Sequence, residues 1–317
     1  MFYYTTPNGQ RIPALGLGTW KAARGAVYTA VKEALSIGYR HIDCAPIYGN
    51  EPEIGRALAE SFDAGILARQ DLWLTSKLWN NAHQPADVLP ALKRTLQDLQ
   101  VDYLDLYLIH WPVVFQPNII VAKKGDDYLS LDQVPIIETW QAMEDCVRDG
   151  LVRNIGVCNF SIKKLDALLA KADMPLAMNQ VELHPYLQQQ ALLDYCRQHK
   201  ILVTAYSSLG SGDRPAGMKK SNEPGLLESP VIQQIAARRR VTPAQVLLSW
   251  GLTRGTLVIP KSVHSERLKE NLSAAVLELD EQDMQEIAAL DQGYRFVDAS
   301  FFALPGSPYT TRTIWDE

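Results

Sequence analysis

Four side chains that can hold or move a proton lie at or just beyond the ends of short apolar runs. Asp43, Lys77 and His110 each end one of three successive runs, and Tyr48 follows Asp43 by five residues. A lone lysine or histidine at a strand end is most often a structural group with its own partners. Three ionisable residues at the ends of consecutive runs indicate a functional site, because the ends of neighbouring parallel strands lie at the same edge of the sheet.

This quartet suits proton donation to a carbonyl oxygen. A phenol with a pKa of about 10 is a weak acid at neutral pH, and lowering that pKa by one requires ~1.4 kcal/mol of preferential stabilisation of the phenolate. The ammonium of Lys77 would supply it, and Asp43 would keep Lys77 charged and oriented. Neutral His110 could bind a substrate carbonyl and direct it towards Tyr48. The sequence contains no GxSxG, HExxH or paired CxxC motif, so neither a nucleophile nor a metal site is predicted.

The elements that must position these residues follow from an alternation of apolar runs and amphipathic stretches. Eight runs are apolar at mostly consecutive positions, as in parallel strands buried on both faces: ALGLGT, YRHIDC, LWLTSK, LDLYLIH, RNIGVC, AMNQVEL, ILVTAYS and TLVIPKS. The stretches between them have apolar residues at helical spacing. Ser161 and Thr242 occupy N-cap positions of such helices, and Gly38 and Gly150 are predicted to end two others.

Eight strand–helix units predict an α/β fold of the (β/α)8 TIM-barrel type, with residues 1–317 forming a single domain. A doubly wound sheet is the alternative. It is disfavoured because the chain lacks GxGxxG: after Gly16 and Gly18, Lys21 stands where the third glycine would fall.

Turns and loops add two features to the predicted barrel. Asn8-Gly9 between short polar and apolar segments predicts an N-terminal β-hairpin with a type I′ turn. Two unusually long loops, at about 112–135 and 209–228, follow the fourth and seventh strands. Loops that follow strands rise from the C-terminal face of a barrel, so both are expected beside the quartet.

The composition argues against several classes of partner. The net charge of -5 is spread along the chain, without the basic face that nucleic-acid binding needs. The N-terminus lacks the pattern of a secretory signal, and no apolar run approaches the ~20 residues that span a bilayer. The four cysteines are widely spaced, as expected of free thiols in a reducing compartment. We therefore expect a soluble cytoplasmic protein with no nucleic-acid or membrane partner.

Three motifs give the chain a specific resemblance. Residues 38–43 (GYRHID) are followed by YGNE at 48–51 and by Ile54-Gly55; residues 156–160 read GVCNF; and IPKS at 259–262 is followed by Arg267 and Asn271. In this order, from about Gly16 to Leu290, the chain resembles the aldo-keto reductases, among them the aldose and aldehyde reductases.

The resemblance implies an NADPH-dependent oxidoreductase that reduces aldehydes, and some ketones, to alcohols. Tyr48 would be the general acid, Lys77 and Asp43 would tune it, and His110 would direct the substrate. Members of the family transfer hydride from the A face of a nicotinamide cofactor, NADPH/NADP+, that lies extended across the barrel mouth without a Rossmann domain or metal. A monomer acting on a small carbonyl substrate is expected.

The resemblance also implies a set of cofactor-binding residues: Thr19, Trp20, Asp43, Cys158, Asn159, Gln180, Tyr206, Ser207, Leu209, Ser211, Lys261, Ser262, Val263, Arg267, Glu270 and Asn271. Cys158, Asn159 and Gln180 would bond the nicotinamide carboxamide, and Tyr206 would stack on the ring. Cys158 stands where many members have serine, and a thiol is a weaker donor.

The remaining cofactor contacts divide by the part of the dinucleotide that they would bind. Residues 207–211 would contact the pyrophosphate, and the last barrel helix would contact the adenine through Glu270 and Asn271. Near that helix, the adenosine 2′-phosphate would meet a cationic and hydroxyl-bearing set made up of Lys261, Ser262 and Arg267. Lys21 and Asp213 occupy positions that in some relatives form a salt-bridged strap over the cofactor.

Aromatic residues predict the substrate wall. Trp20, Trp79 and Trp111 follow strands and should face the pocket, together with Tyr48 and His110. The tail, residues 291–317, lacks periodicity and is not expected in the core, yet it is too aromatic for a disordered segment. It would fold over the mouth, where three of its residues would complete the wall (Phe301, Phe302 and Leu304), or pack along the side of the barrel as a strap.

Two other histidines are given structural or solvated roles. His184 lies beyond a strand end in a proline-containing turn, which indicates a structural residue. His83 lies near Trp79 and could touch substrate, although a solvated loop position is favoured.

The sequence leaves three alternatives open. The chain could be a redox-sensing binding subunit, like potassium-channel β subunits, or have a structural role, as in reductase-like crystallins. A turnover assay separates these from an enzyme. Its substrate could also be a sugar aldehyde, as for aldose and xylose reductases, since loops at the mouth rather than the quartet decide specificity.

Overall fold

The computed structural model describes residues 2–317. Its strands, in chain order, are β1 (Tyr3–Thr5), β2 (Arg11–Pro13), β3 (Leu17–Gly18), β4 (His41–Asp43), β5 (Trp73–Leu78), β6 (Leu106–Ile109), β7 (Val114–Phe115), β8 (Tyr128–Leu129), β9 (Ile155–Cys158), β10 (Met178–Glu182), β11 (Leu202–Tyr206) and β12 (Leu257–Val258). Its helices are α1 (Ala26–Ile37), α2 (Glu51–Asp63), α3 (Pro85–Leu99), α4 (Ile136–Arg148), α5 (Ile162–Leu169), α6 (Gln190–Gln198), α7 (Pro230–Arg239), α8 (Pro243–Thr253), α9 (Ser265–Ser273), α10 (Glu281–Ala288) and α11 (Thr311–Trp315). None of these helices is both long enough and apolar enough to cross a membrane.

Eight parallel strands form the barrel, in the order β3, β4, β5, β6, β9, β10, β11, β12. The sheet closes on itself where Leu15 bridges Val258, and the amide of Val258 donates to Ala14 O at 2.9 Å. All six residues of β5 are buried, as expected of a strand covered on both faces. The prediction of a (β/α)8 barrel is confirmed: seven of the eight predicted runs contain their strand completely, and β5 extends one residue, Leu78, beyond the run LWLTSK.

A glycine makes the closure possible near the rim. The amide of Gly18 donates to Pro260 O at 3.1 Å, and a Cβ at Gly18 would lie 2.5 Å from the carbonyl oxygen of Ile259. A larger residue would therefore push the first and last strands of the barrel apart.

Helix ends follow the predicted capping residues. The Ser161 hydroxyl accepts the amide of Lys164, and the Thr242 hydroxyl accepts the amide of Gln245. Gly38 ends α1 with a φ of 110°, in the left-handed region that glycine adopts without strain. These caps fix where each helix begins or ends and so fix the loops at the barrel rims.

The N-terminal hairpin is confirmed, but its predicted turn type is wrong. β1 and β2 pair antiparallel, while only Gly9 of the Asn8-Gly9 dipeptide has a positive φ, of 85°. The amide of Gly9 donates to Thr6 O at 2.9 Å, which closes a turn with Pro7 at its second position. Proline holds φ near −65°, the value for that position of a type I turn, so a type I′ turn is excluded.

Both long loops lie after barrel strands, as predicted. The loop after β6 carries the small antiparallel β7–β8 hairpin, and the loop after β11 extends to Ser229 before α7 begins. They stand at the C-terminal ends of the strands, where the quartet also lies.

The C-terminal tail contributes to the core, so the expectation that it would not is wrong. Phe296, Phe302, Tyr309 and Trp315 are buried, and α11 forms near its end. Most of the buried tail side chains join Trp111 and neighbouring residues in a second hydrophobic cluster at the C-terminal face. Irregularly spaced aromatic anchors can each fill a pocket without a helical or strand period, so the periodicity of the sequence did not reveal this packing.

A buried carboxyl group between α2, α3 and β5 makes stability depend on pH. Glu51 accepts hydrogen bonds from Ser76 Oγ at 2.6 Å and Thr95 Oγ1 at 3.2 Å. Burial raises the pKa of Glu51 to about 7, although both hydrogen bonds act against the rise. The folded protein therefore binds this proton more tightly than the unfolded chain, whose Glu51 has a pKa near 4.5.

We expect the stability of the wild type relative to Glu51→Gln to fall as pH rises. The favourable contribution is complete below pH about 4.5 and is lost as the pH rises to about 7, by ~1.4 kcal/mol per pH unit, with no further change above that. Thermal unfolding of both proteins from pH about 4 to about 8 measures the difference in the window that these two pKa values set. A difference that stays constant or grows with pH would show that Glu51 is not protonated preferentially in the folded state.

Candidate active site

The barrel brings the four predicted catalytic residues together. Lys77 Nζ lies 2.5 Å from Asp43 Oδ2, 2.9 Å from Cys44 O and 3.3 Å from Tyr48 Oη. The Tyr48 and His110 rings meet edge to face with their centroids 5.8 Å apart. Asp43, Lys77 and His110 stand at the ends of β4, β5 and β6, and Tyr48 ends a short turn after β4 that folds back over them.

Lys77 is charged despite being fully buried. Burial acts to lower its pKa, but the carboxylate of Asp43 and the neighbouring Tyr48 more than offset that effect and hold the pKa above its ordinary value. Burial raises the pKa of Tyr48, and the charge of Lys77 acts against this rise. The phenol is therefore protonated at neutral pH and lies against a cation that would stabilise its anion. The sequence had suggested a net lowering, which burial prevents.

His110 is neutral. Burial, followed by the charges of Lys77 and His83, lowers the pKa of His110 well below its ordinary value. Its Nδ1 is buried without a hydrogen-bond partner, and its ring meets the indole of Trp79 edge to face. A neutral imidazole with one N–H can donate to a carbonyl oxygen without giving up its proton.

Three predicted cofactor residues are linked by hydrogen bonds to the predicted catalytic residues, two of them directly and Tyr206 through Asn159. Gln180 Nε2 donates to Asp43 Oδ1 at 2.7 Å, on the carboxylate oxygen that Lys77 does not hold. Asn159 Nδ2 donates to His110 O at 3.0 Å, and Tyr206 Oη donates to Asn159 Oδ1 at 2.8 Å. These bonds fix the amide side chains in place before any ligand is bound.

A cleft of about 780 Å³ opens above this network at the C-terminal face. It is lined by most of the predicted site residues: Trp20, Asp43, Tyr48, Trp79, His110, Trp111, Cys158, Asn159, Gln180, Tyr206, Ser207, Leu209, Ser211, Lys261, Ser262, Val263, Arg267 and Phe301. Lys77 lies beneath the lining, with no exposed side-chain surface.

Five predicted contact residues lie outside the lining. Thr19 is buried and donates to the backbone oxygen of Asp43, and Phe302 is buried against Trp111. Leu304 packs against the second hydrophobic cluster. The other two residues lie in the second half of α9. Glu270 accepts a hydrogen bond from Thr242 Oγ1, and Asn271 is buried.

The cationic end of the cleft suits a phosphorylated ligand. Lys21 Nζ contacts Asp213 and donates to Ser211 Oγ at 3.0 Å, and Lys261 Nζ lies 2.9 Å from the other oxygen of Asp213. The charged strap suggested by the sequence is thus formed in this structure. Arg267, in the first turn of α9, also lines the cleft and forms no salt bridge with a carboxylate among residues 2–317.

The backbone around the cleft supports the same interpretation. Of eleven non-glycine residues with positive φ in the described chain, four line the cleft: Lys21, Asn159, Ser207 and Ser211. Such conformations cost free energy and collect at binding sites. Turns of this kind also point successive amides at anions. Ser207 Oγ is buried with no protein partner, so a hydrogen-bonding ligand would satisfy it.

Several lining residues were missed from the sequence. Apolar Ile47, Met218, Leu227 and Val297 and polar His264 line the cleft. Ile47 and His264 are adjacent to predicted site elements and could have been included on that basis. The other three lie in the long loop and the tail, whose paths the sequence pattern does not determine.

The predictions for His184 and His83 have different outcomes. His184 is structural, as expected: it is fully buried, with Nε2 2.8 Å from Glu182 Oε1. His83 is buried, so the interpretation as a solvated loop residue is wrong. Burial lowers its pKa to about 3, because the loop after β5 packs against α4, where Thr139 Oγ1 donates to His83 O at 2.6 Å.

Comparisons with known proteins agree with this geometry. The family model described as "Aldo/keto reductase family" matches residues 14–292. An aldo/keto reductase of Synechocystis sp. is 56% identical over 317 residues, 100% of this chain and 97% of that protein. Aldo-keto reductase family 1 member A1 of Sus scrofa is 46% identical over 292 residues, 92% of this chain and 89% of that protein. The solved aldose reductase of Schistosoma japonicum superposes with a TM-score of 0.87 at 38% identity, covering 96% of each chain.

Proposed function

Since this chain belongs to the aldo/keto reductase family, we propose that it reduces aldehydes and some ketones to alcohols with NADPH, and that Tyr48 gives the proton. The observation that carries the proposal is the contact between Tyr48 Oη and the buried ammonium of Lys77, at 3.3 Å, beneath an apolar cleft. We further propose that the protein acts as a cytoplasmic monomer.

The chain's own residues account for the proton and for substrate orientation. The substrate oxygen would lie between Tyr48 Oη and the N–H of neutral His110, so that its carbonyl carbon faces the cofactor cleft. NADPH, when bound, supplies the hydride to that carbon. Tyr48 then gives its proton to the oxygen, while Lys77 stabilises the phenolate that forms and Asp43 keeps Lys77 charged. Aldehyde, hydride and proton together make the alcohol.

The cleft fits the phosphorylated cofactor at its cationic end. The unsatisfied Ser207 hydroxyl and the left-handed turns at Ser207 and Ser211 supply donors for a pyrophosphate. Lys261 and Arg267, near the N-terminus of α9, supply positive charge for a 2′-phosphate. These features support NADPH over NADH as the preferred cofactor.

Arg267→Ala is expected to weaken NADPH binding by roughly 1.5–3 kcal/mol and leave NADH binding almost unchanged, because only NADPH carries the phosphate that a guanidinium would bind. Fluorescence titration gives the Kd of each cofactor. Lys269→Ala is a matched control, since it removes a cation from α9 that pairs with Glu266 and does not line the cleft. Equal losses for the two cofactors would show that Arg267 serves the fold instead.

The substrate end of the cleft favours neutral apolar aldehydes. The walls around Tyr48 and His110 are apolar side chains: Trp20, Ile47, Trp79, Trp111, Val297 and Phe301. The hydroxyl groups of a sugar would lose water there and find few hydrogen-bond partners among these side chains. Aromatic and bulky aliphatic aldehydes should therefore be reduced more efficiently than aldoses.

The direct test is consumption of NADPH, followed by its absorbance, with aliphatic, aromatic and sugar aldehydes. We expect turnover, with the highest kcat/KM for aromatic aldehydes. Tight NADPH binding without turnover of any carbonyl compound would favour a redox-sensing binding role. No cofactor binding at all would favour a structural one.

A further inference from the structure

One segment of the tail forms part of the substrate wall although it belongs to no barrel element. Val297 and Phe301 both line the cleft. Phe301 is 38% exposed and meets the Trp111 ring edge to face, 5.9 Å between centroids. The position of this wall therefore depends on what holds residues 296–301 in place.

A buried carboxylate holds the start of this segment. Glu182 Oε1 accepts the amide of Phe296 at 2.5 Å, and Glu182 Oε2 accepts the amide of Val297 at 2.8 Å. His184 Nε2 lies 2.8 Å from Oε1, so both oxygens are engaged and the residue has no exposed surface. Charge-assisted bonds to two consecutive amides fix both the position and the direction of the chain.

Glu182 connects the tail to the catalytic strand ends. It is the last residue of β10, two positions after Gln180, whose amide binds Asp43. The strand is rigid, with parallel partners on both sides. The wall residue Val297 is thereby held by the same strand that holds the catalytic carboxylate, rather than by a surface loop.

The next contacts along the tail are weaker or more distant from the wall. Asp298 pairs with the exposed Lys220 at 2.9 Å, and its carbonyl accepts the indole N–H of Trp315 at 2.9 Å. Exposed ion pairs contribute little. Without the bonds to Glu182, the segment between Phe296 and Phe301 would keep its hydrophobic contacts, but its backbone would no longer be held in one position against the cleft.

We propose that Glu182 is a positioning residue that sets the preference for substrate size by holding Val297 and the following wall against the mouth of the cleft. This inference rests on the proposed reduction of aldehydes. Glu182 touches neither substrate nor the reacting atoms, so its effect should depend on how much of the wall a substrate contacts. A bulky aldehyde contacts Val297 and Phe301, whereas a short one reaches only Tyr48 and His110.

The chain offers a close control for a merely structural role. Glu144, in α4, is also fully buried, and its Oε1 accepts the amides of Asp173 and Met174 at 2.9 and 2.8 Å. The Trp140 indole donates to the same oxygen at 2.7 Å. Neither Glu144 nor these partners line the cleft. Glu144→Gln therefore removes the charge of a buried carboxylate that holds two consecutive amides, away from the wall, while its remaining Oε1 can still accept both amides.

The experiment compares wild type, Glu182→Gln and Glu144→Gln with NADPH and two aldehydes, 2-naphthaldehyde and propanal. A glutamine can accept at only one of the two positions, since its NH2 group faces the second amide. We expect the ratio of kcat/KM for naphthaldehyde to that for propanal to fall about tenfold in Glu182→Gln, mainly through KM, as expected when contacts of a few methylene groups are lost. Glu144→Gln should keep the wild-type ratio even if its Tm falls equally. Phe301→Ala should change the ratio in the same direction.

Hydrogen exchange gives a readout that does not depend on turnover. Peptides covering residues 293–303 should exchange faster in Glu182→Gln and at the wild-type rate in Glu144→Gln. If Glu182→Gln does not fold, Glu182→Asp, which keeps the charge but withdraws it by one methylene, should show the same two changes to a smaller extent.

An unchanged substrate ratio and unchanged exchange in the folded variants would overturn the inference, as would an equal fall in the ratio for Glu144→Gln. A wild-type protein that reduces neither aldehyde would instead overturn the proposed function. The exchange rates would still decide whether Glu182 holds the tail, so the two failures are distinguishable.

Discussion

Replacing Tyr48 with phenylalanine is expected to lower kcat by about 10²–10⁴-fold, the range of a lost general acid. The change keeps the ring, which lies 5.8 Å from that of His110, and removes only the hydroxyl that contacts Lys77. The affinity for NADPH should remain nearly unchanged, because the hydroxyl is assigned to the carbonyl oxygen and not to the cofactor. Steady-state kinetics with an aromatic aldehyde and a fluorescence titration of NADPH measure the two quantities.

A small effect would contradict this assignment. If Tyr48→Phe retained more than about a tenth of the wild-type kcat, another donor would be giving the proton. A large rise in the Kd of NADPH with little loss of kcat would place Tyr48 in cofactor binding instead.

Lys77→Met is expected to be comparably damaging, for two separable reasons. Burial raises the pKa of Tyr48, and without the ammonium nothing among its contacts acts against that rise, so the phenolate formed in the reaction is destabilised. In addition, Asp43 keeps its buried carboxylate but loses its cation, 2.5 Å away, which typically costs about 3–5 kcal/mol of folding stability.

A double variant separates catalysis from stability. Lys77→Met with Asp43→Asn removes the uncompensated charge, so its Tm should recover towards that of the wild type while kcat stays low. If activity recovered together with Tm, the role of Lys77 would be structural, and the account of how Tyr48 is assisted would be wrong.

The barrel could be predicted because its strands are buried on both faces. Runs such as LWLTSK and ILVTAYS are apolar at mostly consecutive positions. In the structure β5 overlaps the first run and β11 lies within the second. Helix caps at Ser161 and Thr242 depend on a side chain and an amide three residues apart, so local sequence suffices for them as well. Both kinds of signal are short-range and need no knowledge of the tertiary fold.

Features that depend on long-range packing were missed. The burial of Phe302 and Trp315 is determined by a cluster around Trp111, far away along the chain, and no local period encodes it. His83 is polar and lies in a loop, yet the packing of that loop against α4 buries it. The net pKa of Tyr48 also depends on burial, which a sequence gives only indirectly.

Transfer of a labelled hydride from the cofactor to the substrate is the sharpest test of carbonyl reduction by this protein. With (4R)-deuterated NADPH and an aromatic aldehyde, we expect an alcohol that carries one deuterium on its carbinol carbon, formed at a rate that Tyr48→Phe lowers by at least about a hundredfold. With the (4S)-deuterated cofactor the alcohol should contain none. Deuterium in the alcohol from the 4S label alone would contradict transfer from the A face. An alcohol without deuterium from either label, or no alcohol from any aldehyde while NADPH remains intact, would contradict the claim that this cleft reduces carbonyl compounds with NADPH.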